Sequence, residues 1–89
     1  MCRNIKTLFN FAPPATDEEV RAASLQFVRK LSGYTIPSKA NEEAFNRAVE
    51  DVFQVARVLV DSLVTPSPPR NREEEAAKAK ARSIERFGR

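Results

Sequence analysis

The second residue carries the sharpest chemistry in this chain. Cys2 is the one cysteine among 89 residues, and a small residue behind the initiator methionine is compatible with removal of Met1. That would leave a thiol beside a free α-amino group titrating near neutrality, at about 7.7–8.0. An N-terminal amine next to its own nucleophile can act as a general base, and Arg3 and Lys6 favour the thiolate. Cys2 is thus a speculative nucleophile for a small enzyme or redox sensor. The competing description is a small, partly buried hydrophobe. Catalysis also needs an oxyanion hole and a substrate pocket, for which so short a helical chain offers little room.

A second kind of chemistry lies at the other end. Residues 1–69 carry eight Lys/Arg and eight Asp/Glu, so the whole net charge of +3 sits in residues 70–89. Arg70, Arg72, Lys78, Lys80, Arg82, Arg86 and Arg89 are suited to contact phosphates. Lys78 and Arg82 share one helical face, as do Arg82 and Arg86, which makes these three the candidate binding residues of a nucleic-acid arm. The signal is weak, because no helix-turn-helix spacing accompanies it and Phe87 is the sole interleaved aromatic. A solvated helix accounts for the same charges. The acidic clusters at Asp17–Glu19, Glu42–Glu43 and Glu73–Glu75 each fall at an expected helix start, where the helix dipole explains them. The chain has no histidine, which excludes zinc fingers, His-based triads and facial-triad iron sites. No Gly-rich phosphate loop is present, and neither metal nor cofactor is expected.

The elements that must position these groups read as helices. Phe45, Val49, Val52, Ala56, Leu59 and Leu63 recur at +4, +3, +4, +3, +4, one face of a helix. Ala48, Phe53, Val55, Val60 and Val64 widen that face to about half the circumference. One neighbour needs an apolar arc of only about 100°, so this helix, about residues 41–64, is expected to pack on two. Ser38 or Asn41 is its expected cap. Thr16 and Glu19 have capping-box spacing ahead of an earlier helix at about 17–32, with Val20, Ala23, Ser24, Phe27, Val28 and Leu31 facing inward and Gly33 placed to stop it. Thr65-Pro66-Ser67-Pro68-Pro69 breaks the helical pattern and favours extended backbone. A third helix follows at about 71–87, with Asn71 and Glu74 at capping spacing and a thin stripe of Ala77, Ala81, Ile84 and Phe87. Residues 3–11 fit either a strand or a helical turn. A strand without a partner is unstable, so a short turn or extended arm docking its aromatics on the long helix is expected.

The chain resembles a bacterial family of small proteins of unknown function whose members begin Met-Cys-Arg-Asn-Ile-Lys. The segments that carry the resemblance are Met1–Lys6, Phe11–Pro14, Thr16–Glu19, Arg29–Gly33 and Pro37–Asn41. It spans nearly the whole chain and implies no activity, cofactor or partner; it singles out the start of the chain, with Arg3 and Asn4 beside Cys2 as candidate binding residues, and supplies no role for them.

Together these observations describe an all-α protein: a helical core with an N-terminal arm over residues 1–64, a proline-rich linker at 65–70 and a basic helix over 71–89. No apolar run approaches a membrane span and no secretory signal is evident, so a cytoplasmic location and no membrane partner are expected. The first functional expectation is a protein–protein interaction module, self-associating or binding another protein, with a homodimer through the second helix. Phe45, Val52 and Leu59 are expected to be nearly fully buried against Phe27 and Leu31. The proline break is expected to leave the third helix uncoupled from the hairpin.

Overall fold

The computed structural model describes residues 5–87, with side chains described through Ala81 apart from Ala79. Two long helices, α1 (Asp17–Ser32) and α2 (Glu42–Ser62), form an antiparallel hairpin, followed by α3 (Arg72–Phe87). A 3-10 turn at Lys39–Asn41 leads into α2. Phe11–Ala12 (β1) and Arg70–Asn71 (β2) pair in parallel, with Phe11 opposite Arg70.

α1 begins and ends where its local chemistry dictates. The Thr16 hydroxyl accepts the Glu19 amide at 3.2 Å, and the Glu19 carboxylate accepts the Thr16 amide at 2.9 Å, closing a capping box. At the other end Gly33 takes φ 78° and its amide donates to the Arg29 carbonyl, a conformation that costs glycine no Cβ clash. α2 departs from expectation. The Asn41 side chain donates to the Ser38 hydroxyl at 2.8 Å and does not cap the helix. The helix also stops at Ser62, two residues before Val64.

The hairpin is stitched along its length. Val20, Ser24 and Val28 form the buried face of α1. Buried Ser24 spends its hydroxyl on the Val20 carbonyl at 2.8 Å, so a small polar residue sits in the interface with its hydrogen bond satisfied. Arg21 donates to Glu50 at 2.6 Å and lies 4.1 Å above the Phe53 ring. Arg57 reaches back to the Ala15 carbonyl and Asp17, while it grips Asp61 on its own helix. Of the i,i+4 pairs legible in α2, Arg57–Asp61 forms; Glu43–Arg47 and Arg47–Asp51 are not among the ion pairs of the described residues.

The core is smaller than the apolar stripe. Ala15, Val20 and Phe53 form one buried cluster, with Leu8 and Ala56 packed against it; Phe45 and Val28 are buried as well. The arm is thus extended, and it docks through Leu8. Its strand has a partner after all, supplied by residues from beyond the proline stretch. Leu59 corrects the expected core: it is 55% exposed, Val52 is only half-buried, and Phe27 and Leu31 are exposed too. The wide arc of α2 divides into two stripes one residue out of step. Phe45, Val49, Phe53, Ala56 and Val60 are buried or half-buried; on the adjoining stripe Ala48 and Val52 are half-buried, whereas Ala44, Val55 and Leu59 lie open. Within the chain α1 and the arm cover one side of the arc, and the second helical neighbour expected from its width is absent among the described residues.

The proline-rich stretch leaves the body of α3 undocked, as expected, with its described side chains beyond Glu75 exposed, but the start of the tail is tied down. Asn10, in the left-handed region at φ 66°, donates its side-chain amide to the Pro68 carbonyl at 3.1 Å and accepts the Arg70 amide at 2.8 Å. Arg72 sends both terminal nitrogens to the Glu19 carboxylate at 2.6 and 2.7 Å, and its Nε to the Pro13 carbonyl at 2.9 Å. The first turn of α3 is therefore clamped to the first turn of α1. Asn71 caps α3 as expected, accepting the Glu74 amide at 3.0 Å.

Candidate interaction face

The open stripe of α2 borders a groove. Where the C-terminal half of α1 runs beside the N-terminal half of α2, Phe27, Leu31, Tyr34, Ala44, Ala48 and Val52 line a depression of about 370 Å³. Its deepest lining residues are the buried Val28 and Phe45. On α2 Ala44 and Ala48 present only a methyl group each, and on α1 Phe27 and Leu31 are exposed along the opposite side. The Asn41 amide donates to the Tyr34 hydroxyl at 3.3 Å and fixes the ring at the loop end. Further along α2 the relief reverses: Val55 and Leu59, 72% and 55% exposed, stand proud beyond the groove. The same face of one helix thus carries a hollow in its first half and two projecting side chains in its second. Monomeric surfaces seldom leave so many large apolar side chains in one patch unless it meets something.

The charged groups are arranged for structure. The Glu19 carboxyl is held down to about 2, first by its hydrogen bonds from Arg72 and then by the Thr16 amide. Glu50 is lowered by Arg21 and Gln54. Both shifts hold a carboxylate ionised in an ion pair, the opposite of what a general acid needs. Among the described residues, no group of three or more His, Cys, Asp or Glu is placed to hold a metal ion, and no helix is long and apolar enough to cross a membrane.

The residues singled out for chemistry fall unevenly. Cys2, Arg3 and Asn4 lie outside the described residues, as do the side chains of Arg82 and Arg86. Lys78 is exposed, its Nζ 3.5 Å from the Glu75 carboxylate one turn back. Arg70 lies 5.8 Å from the Phe11 ring. Arg72 is engaged by Glu19 and Pro13, so the suggestion that it serves phosphates gives way to a role as the tail's anchor. Sequence reasoning missed this pair, since the partners lie 53 residues apart. It also put Phe27 and Leu31 in the core. The surplus arc of α2 was the available sign that an apolar surface remains open.

A family model described as an uncharacterised conserved protein, DUF2277, matches residues 1–78. No curated protein and no solved structure gives a match.

Proposed function

We propose a function from the surface itself, since the chain belongs to the DUF2277 family of uncharacterised conserved proteins, which brings no activity to carry over. The chain is a small cytoplasmic protein–protein interaction module whose docking face is the open side of the hairpin. The apolar groove between α1 and α2, with Val28 and Phe45 buried in it and Phe27 and Leu31 exposed along its edge, is the observation that carries this reading. An amphipathic helix fits such a groove: apolar side chains at i, i+3 and i+4 enter, and polar ones remain in water. A binding module also needs a scaffold that keeps its shape while its face is empty. The Arg21–Glu50 and Arg57–Asp17 pairs stitch the two helices across the hairpin and away from the groove.

The reading is tested with a synthetic amphipathic helix of leucine and lysine, titrated into the isotopically labelled full-length chain. Shift changes are expected to gather at Phe27, Leu31, Ala44, Ala48 and Val52, and Leu31→Gln is expected to weaken binding without altering the melting curve. Changes scattered over the surface would overturn it, as would none at saturating peptide from a chain that is monomeric at the concentration used.

A further inference from the structure

The relief of α2 points to a particular occupant. Ala44, over the groove, and Val55, the first projecting side chain, are eleven residues apart, about 16 Å along a helix. The point midway between them falls at the level of Val49 and Glu50. Rotating a second copy by 180° about an axis through that point, perpendicular to α2, lays its Val55 over the first copy's Ala44. The partner's Leu59 then meets the loop end of the groove, beside Leu31 and Tyr34. The reverse contact forms in the same operation. Hollow and projection on the same face can thus seat each other reciprocally, as a two-fold interface requires. Alanines at 44 and 48 also let two helices approach closely.

Charge supplies an independent indication. Arg47 and Asp51 are exposed on the border of the open stripe, two residues either side of Val49. Spacing on one helix suits them to pair with each other, yet neither is in an ion pair among the described residues. The two-fold operation preserves which border a residue occupies and reverses its position along the axis. It therefore sets Arg47 of each copy beside Asp51 of the other, giving two reciprocal pairs.

We infer that the groove is filled by a second copy of this chain, docked antiparallel, α2 on α2, about a two-fold axis at Val49–Glu50. The inference rests on the groove being a docking face and adds the identity and register of what docks. It identifies Val55 and Leu59 as the inserting side chains and Arg47 and Asp51 as the residues that set the register.

Sedimentation equilibrium of the full chain from low to hundreds of micromolar tests it. A species of twice the 10.0 kDa chain is expected. Val55→Arg keeps a good helix former at an exposed position and should return the monomer with an unchanged circular dichroism spectrum. Arg47→Glu and Asp51→Arg should each weaken the dimer several-fold, because each sets like charges together twice. The double reversal in one chain should restore it. A monomer at every concentration, or a dimer indifferent to Val55→Arg and to both reversals, would overturn the inference. The leucine–lysine peptide, titrated into the Val55→Arg protein whose groove is intact, separates the two failures. Peptide binding by a chain that never dimerises removes the second copy and leaves the docking face standing; no peptide binding and no dimer removes both.

Discussion

Phe53 and Leu59 lie on the same broad apolar arc of one helix, and truncating them should have very different consequences. Phe53 is 7% exposed and packs with Ala15 and Val20, while Arg21 covers its ring. Removing a buried aromatic side chain costs about 3–5 kcal/mol. A chain of 89 residues at the usual stability per residue holds only about 4–13 kcal/mol in total. Phe53→Ala should therefore unfold a large share of the population, while Phe53→Leu, which keeps most of the volume, should cost about 1 kcal/mol. Leu59 is 55% exposed. A fully buried Leu→Ala costs about 2–5 kcal/mol, and with more than half the side chain already in water the cost in the monomer should fall to about 1 kcal/mol. Urea unfolding followed by circular dichroism at low micromolar protein gives both values. Repeating it at hundreds of micromolar should leave the Phe53→Leu penalty unchanged and raise that of Leu59→Ala, because association buries Leu59. Equal penalties for Phe53→Ala and Leu59→Ala in dilute solution would refute the division of the arc into a covered and an open stripe.

Two further perturbations probe the tie between the ends of the chain. Glu19→Gln retains a capping-box side chain but removes the charge that Arg72 grips; it should lower the melting temperature and reduce amide protection at the start of α3, both read by hydrogen exchange and thermal scans. Because the Glu19 carboxyl is depressed from 4.5 to about 2 in the fold, its contribution is fully present above about pH 4.5 and is lost as pH falls toward 2. Wild type and Glu19→Gln should therefore converge in stability on acidification across that window, and a carboxyl that titrates at its ordinary value by NMR would contradict the clamp. Asn10→Ala should cost about 1–3 kcal/mol, since a left-handed φ of 66° strains alanine. Asn10→Gly should recover part of this, by relieving the strain while still lacking the hydrogen bond to Pro68.

What was legible in the sequence was local. Thr16, Glu19 and Gly33 are each read against neighbours within a few residues, and α1 spans the range they define. Asn71 and Glu74 mark the start of α3 in the same way. The surplus arc of α2 announced an uncovered surface, because periodicity reports how much of a helix is apolar. It does not report which part a neighbour covers, and so Leu59 and Phe45, both on one stripe in projection, part company once α1 takes its angle. Contacts distant in sequence left no trace. Phe11–Ala12 is a strand because Arg70–Asn71 lies beside it, and Arg72 belongs to Glu19 through a fold that neither residue encodes alone.

The parallel pairing of β1 with β2 also sets the order of assembly. Parallel strands require a crossover between them, and here the crossover is the entire hairpin. Joining Asn10 to Pro68 across 58 residues of unfolded chain carries a loop-closure entropy of roughly 3.6 kcal/mol, and a prior fold that shortens the flexible segments lowers it. The contacts between α1 and α2 join nearer parts of the chain and should form first; the arm closes onto the tail last and opens first. During synthesis the arm has no strand to pair with until Arg70 and Asn71 have emerged. A nascent chain stopped before residue 70 lacks both the strand its arm pairs with and the guanidinium that holds Glu19.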